Sequence, residues 1–144
     1  MKVTMLLADS AQAVNGKLYI LGGGWSITGP DPAVFAIAMK IEVPWEETNR
    51  PHKLRLILID DDGQAVAIEG APVEISGEFE VGRPSGLPPG MSLDSVLALN
   101  MGPMPLERGK RYTWRLTIDE QARDDWQVSF VVRKGPPQPG RPLG

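Results

Sequence analysis

Apolar and polar residues alternate with a period of two along most of the chain. From Val73 to Val81 the odd positions carry Val, Ile, Gly, Phe and Val, and the even ones Glu or Ser. Between Arg111 and Ile118, Tyr112, Trp114, Leu116 and Ile118 share one side, and Arg111, Thr113, Arg115 and Thr117 the other. Trp126, Val128, Phe130 and Val132 repeat the pattern, as do shorter runs at Met39–Val43 and Leu54–Leu56. Successive side chains of a strand point to opposite faces, so this alternation predicts half-buried strands. No long segment supplies the i, i+3, i+4, i+7 spacing of an amphipathic helix. Turn chemistry agrees. Asn15-Gly16 and Asp62-Gly63 each separate apolar runs, and both pairs tolerate the positive φ of a tight hairpin.

These signals place strands near residues 3–8, 11–14 with 17–22, 34–43, 53–60, 64–68, 73–81, 93–101, 110–119 and 126–133. About eight or nine strands at this spacing predict an all-β fold, a two-sheet antiparallel β-sandwich of immunoglobulin-like or jelly-roll type. Helix is expected only as a single turn at 44–49 or at 120–124. Residues 82–90 read as a Pro/Gly loop. One domain is expected over residues 1–133, followed by a disordered Pro/Gly-rich tail over 134–144.

Composition narrows the function. The chain has 144 residues with 16 Gly and 14 Pro, both poor helix formers. Fifteen Lys and Arg against 18 Asp and Glu give a net charge of −3. With a pI near 5.2 the basic face that nucleic acid requires is not expected. Cys is absent, which excludes disulfides, a thiol nucleophile and Cys-ligated metals. The apolar run Val3–Ala8 ends at Asp9, shorter than the roughly 7–15 residues of a signal h-region, so a cytoplasmic protein that does not enter the membrane is expected.

Several segments invite a chemical reading. Gly22-Gly23-Gly24 follows an apolar strand, but a phosphate loop opens a helix, and Trp25-Ser26-Ile27-Thr28 is strand-like. Asp60-Asp61-Asp62 and the acids of Asp119–Asp125 would suit a calcium-binding module, although Asp60–Gly63 also reads as a hairpin turn. The single His, His52, stands beside Pro51 and Lys53 with no acid next to it in sequence, as a surface residue at the start of a strand. Trp114 and Trp126 belong to core faces. Trp25 and Trp45 lie near turns and either plug the end of the sandwich or offer stacking platforms to a glycan. In the tail, Arg133, Pro136 and Pro139 match a polyproline-II ligand pattern of SH3-like grooves. None of these forms a convergent catalytic, cofactor or metal set, and no cofactor is expected. An enzyme would need carboxylates that converge only in three dimensions.

Two resemblances add to this reading. Glu107-Arg108-Gly109-Lys110-Arg111-Tyr112-Thr113-Trp114-Arg115-Leu116 resembles the late strand of bacterial immunoglobulin-like modules, where a Tyr hydroxyl anchors a corner; here Gly109 stands one residue further from Tyr112 than is common. Met5-Leu-Leu-Ala-Asp9-x-Ala11-Gln12-x-x-Asn15-Gly16-Lys17-Leu18-x-Ile20-Leu21-Gly22-Gly23-Gly24-Trp25 is similar to the opening of an uncharacterised family, a domain of unknown function of small bacterial β-sandwich proteins. Gly77-x-Phe79-x-Val81-Gly82-Arg83-Pro84 and Gly86-Leu-Pro-Pro-Gly90 fit the same pattern. That resemblance covers most of 3–133, implies the fold and a cytoplasmic origin, and brings no site residues.

One feature of the alternation points to a partner. Met5–Leu7, Tyr19–Leu21 and Val34–Ile37 are apolar on both sides of the pleat, as in strands covered on both faces. Either the chain covers this surplus itself or a second molecule does. The leading expectation is a non-enzymatic protein-binding or self-assembling module, a homo-oligomer with Leu6, Tyr19 and Leu21 at its contact, or a binder of an unidentified protein.

Overall fold

A computed structural model describes residues 1–135. Its strands are β1 (Lys2–Ala8), β2 (Ser10–Val14), β3 (Lys17–Leu21), β4 (Ile27–Thr28), β5 (Phe35–Val43), β6 (Pro51–Asp60), β7 (Ala67–Ile68), β8 (Ala71–Pro72), β9 (Glu74–Glu80), β10 (Leu93–Met101), β11 (Arg111–Ile118) and β12 (Gln121–Val132). A 3-10 turn at Trp45–Glu47 is the only helical element among the described residues. The fold is all-β, as the alternation predicts. All of the expected tail beyond Gly135, with its proline motif, lies outside the described residues.

The strands form a three-stranded sheet ordered β1-β5-β10, a five-stranded sheet ordered β4-β12-β11-β6-β9, and the two small hairpins β2-β3 and β7-β8. Pairing is antiparallel except at β4, which runs parallel to the end of β12. The expected strand count is too low because the two-residue strands β4 and β8 fall outside the predicted segments and β2 and β3 are separate strands. Left-handed Glu69 and Gly70 turn the β7-β8 hairpin, which precedes β9.

Register explains the core. Val3, Met5 and Leu7 stand opposite Ile41, Met39 and Ile37, so one face of β1 and β5 carries only apolar groups. On the larger sheet, Leu54, Leu56 and Leu58 of β6 share a face with Trp114, Leu116 and Ile118 of β11 and with Trp126, Phe130 and Val132 of β12. These two faces meet in one core. Trp114 is fully buried, and Tyr112 is also buried while its hydroxyl accepts a hydrogen bond from the Glu107 amide at 3.0 Å. That bond ties the start of β11 to the backbone five residues upstream.

Two local expectations need correction. Residues 120–124 form no helical turn: Asp119 and Glu120 adopt φ of 50° and 66°, a tight reversal that lets β12 start at Gln121, well before the expected residue 126. His52 is not on the surface. It points inward from β6 opposite Phe79, is 1% exposed and stacks on the Phe79 ring.

A candidate interaction surface on the N-terminal hairpin

Hairpin β2-β3 turns through Asn15 and Gly16, both at positive φ (51° and 74°), as a two-residue reversal between right-twisted strands requires. It does not extend the three-stranded sheet but lies over its outer face. Ala11 and Leu18 pack there against Ala36, Ala38 and Ala98, whose small side chains allow close approach. The Asn100 carboxamide of β10 fixes the placement: its Oδ1 accepts from the Ala11 amide at 3.2 Å and its Nδ2 donates to the Ala11 carbonyl at 2.8 Å. The return of the chain is equally tight. A Cβ on Gly23 would stand 2.6 Å from Ile20 Cγ2, so any side chain here would force Ile20 to shift.

This packing separates the three residues predicted for self-association. Leu6, opposite Ala38 on the covered face, is half-buried beneath the Gly23 segment. Tyr19 and Leu21 lie on the far side of the hairpin with Val14, since Gln12–Tyr19, Ser10–Leu21 and Val14–Lys17 are opposed pairs. Val14, Tyr19 and Leu21 are 45%, 57% and 70% exposed. The chain thus covers part of its apolar surplus with its own hairpin and presents the remainder on that hairpin's outer face.

The other candidates assume structural roles. Asp60 Oδ1 accepts from the Asp62 and Gln64 amides, both at 2.9 Å, so this carboxylate shapes the turn. Among the described residues no group of three or more His, Asp or Glu side chains is placed to hold a metal ion. Trp25 packs edge-on against Phe35 and Phe130 at one end of the core, beside a cavity of about 40 Å³. One face of Trp45 is covered by the Arg83 guanidinium, 4.3 Å from the ring centroid, which also donates to the Trp45 carbonyl and to Thr48 Oγ1. Gly22-Gly23-Gly24 leads into β4 rather than into a helix.

His52 has the acid partner that sequence order concealed. Its Nδ1 lies 2.6 Å from Asp119 Oδ2 and its Nε2 2.7 Å from the Glu47 carbonyl. Both partners accept, so the ring is fully satisfied when both nitrogens carry protons. Hydrogen bonding from His52, then from the Lys53 amide, holds the Asp119 carboxyl below its ordinary value. Both imidazole nitrogens are engaged within the fold. The arrangement ties the start of β6 to the β11-β12 turn and to the 3-10 turn.

A family model described as a family of unknown function, DUF6941, matches residues 3–132, which is nearly all of the described chain. The chain belongs to this family. The match to DUF6941 takes in the hairpin, both large sheets and the His52–Asp119 contact together. A comparison with curated proteins finds no match. No helix among the described residues is long and apolar enough to cross a membrane.

Proposed function

We propose that this protein is a non-enzymatic self-assembling module and that the outer face of the β2-β3 hairpin is its contact surface. The observation that carries the reading is the exposed apolar row Val14, Tyr19 and Leu21, with Leu21 at 70% the most exposed of the large hydrophobic residues described. An isolated two-stranded hairpin is marginal in water, and this one is held by an alanine-lined seat and one asparagine. A sequence that maintains such a hairpin while placing Tyr and Leu on its wet face is best explained by a partner that dries that face. The roles of His52, Asp60 and Trp45 described above support a binding rather than a catalytic reading.

The scaffold is best read as a two-layer sandwich, supported by the common core between the three-stranded and five-stranded sheets. A bacterial, cytoplasmic setting, which the family resemblance implies, fits the use of Val3–Ala8 within β1, where Val3, Leu7 and Ala8 are buried. The test is light scattering coupled to sizing at tens of micromolar chain. A mass of two or more chains, reduced toward one chain by Leu21→Lys with an unchanged β spectrum, is the expected result. A wild-type mass of one chain would overturn the proposal.

A further inference from the structure

We infer that the partner on this hairpin is a second copy of the same chain, joined edge to edge through β3 in an antiparallel, two-fold pairing centred on Tyr19. The inference rests on the self-assembly reading above and specifies its geometry. It begins at Ala11, whose amide and carbonyl are both engaged by Asn100 and therefore point away from β3. Residues opposed in an antiparallel ladder alternate between pairs that exchange hydrogen bonds and pairs that do not. Ala11 and Ile20 are opposed, so they form a non-bonded pair, as do Ala13 and Leu18. Val14 and Lys17, which flank the two-residue turn, then form the bonded pair that such a turn requires. On β3 it follows that the amides and carbonyls of Leu18 and Ile20 face outward along the free edge. Among the described residues β3 has no strand partner other than β2.

Natural edges are defended by Pro, by a bulge, by short length or by charges, Lys above all. Lys17–Leu21 contains no Pro, pairs with β2 without a register shift, and carries one charge, at Lys17. The edge is also complementary to itself. When a second β3 approaches antiparallel with Tyr19 on the two-fold axis, Leu18 of each copy stands opposite Ile20 of the other. Their outward amides and carbonyls then exchange two reciprocal pairs of hydrogen bonds. Tyr19 faces Tyr19 as a non-bonded pair, the kind in which side chains approach most closely. Lys17 faces Leu21, so the two cations are kept apart and each lysine stem lies along a leucine. Tyr19 and Leu21 are thereby partly covered by Tyr19 and Lys17 of the other copy, while Val14, on β2, stays outside the contact. The isologous contact closes on itself and yields a dimer rather than a filament.

A chain without Cys allows a direct test, because a single introduced thiol can pair only with its copy. Tyr19→Cys should give mostly disulfide-linked dimer under mild oxidation, since opposed non-bonded residues bring Cβ atoms within disulfide reach. Gln12→Cys, on the same face but on β2, should remain uncrosslinked. Ile20→Pro removes an outward amide without touching the β2-β3 ladder, and should raise the dimer dissociation constant roughly tenfold or more over Ile20→Ala. If the wild type is oligomeric but Tyr19→Cys fails to crosslink, or Ile20→Pro associates as well as Ile20→Ala, the edge pairing is wrong while the hairpin face stands. A monomeric wild type overturns both.

Discussion

The Asn100 side chain pairs with Ala11 as a strand would, one carboxamide engaging both the amide and the carbonyl of a residue 89 positions away. This contact holds the hairpin on the outer face of the three-stranded sheet, and it orients the opposite edge of the hairpin toward solvent. Asn100→Leu retains the bulk but leaves two backbone groups unpaired. A cost of about 1–3 kcal/mol is expected, with faster amide exchange in β2 and β3 than in the rest of the chain. Uniform exchange rates across mutant and wild type would contradict the role given to Asn100.

The His52–Asp119 contact sets a pH response. Asp119 has a folded-state pKa held below its ordinary 3.8, chiefly by the His52 hydrogen bond. A depressed carboxyl stabilises the fold above its unfolded value and loses that contribution as pH falls through the folded one. Asp119→Asn should therefore be less stable than wild type at pH 7, and the gap in urea midpoint should narrow by pH 3. A gap of equal size at both pH values would show that the carboxylate charge is not involved. Asn is compatible with the left-handed φ of 50° at this position, so the comparison isolates the charge and its bond.

Trp114 is fully buried at the centre of β11, with Leu58 and Val128 opposite it on the neighbouring strands. Trp114→Ala is expected to cost about 3–5 kcal/mol in denaturant unfolding, the range for deletion of a large core aromatic. An unchanged midpoint would contradict the core assignment.

Asp60 is bonded to two amides of its own turn. Calorimetry with calcium should show no heat of binding at micromolar concentration, and Asp61→Asn with Asp62→Asn should leave the thermal midpoint in calcium unchanged. Binding lost in that double variant would promote the calcium reading over the turn reading.

Much of this architecture is legible in sequence because it depends on local patterns. Tyr112, Trp114, Leu116 and Ile118 announce the buried face of β11, and Asn15-Gly16 announces the first hairpin. Where the sequence reading is incomplete, long-range contacts decide. Glu120 is not a usual residue of a left-handed reversal, and the polar Arg123-Asp124-Asp125 run hides the first half of β12. His52 reads as exposed because its acid lies 67 residues away, and Asn100 has no local signal at all. The surplus of apolar residues at Leu6, Tyr19 and Leu21 is visible in the pattern, but only the three-dimensional fold shows that the Gly23 segment partly covers the first while the hairpin exposes the other two.

The central claim is that the exposed face of the β2-β3 hairpin is an interface. It is tested most directly by the solution mass of the wild type and of Tyr19→Lys, measured side by side by light scattering at tens of micromolar. The account predicts a wild-type dimer and a folded, monomeric Tyr19→Lys, since two lysines would meet on the two-fold axis where like charges repel. A wild type with the mass of one chain, or a Tyr19→Lys variant that dimerises as tightly as the wild type, would contradict it.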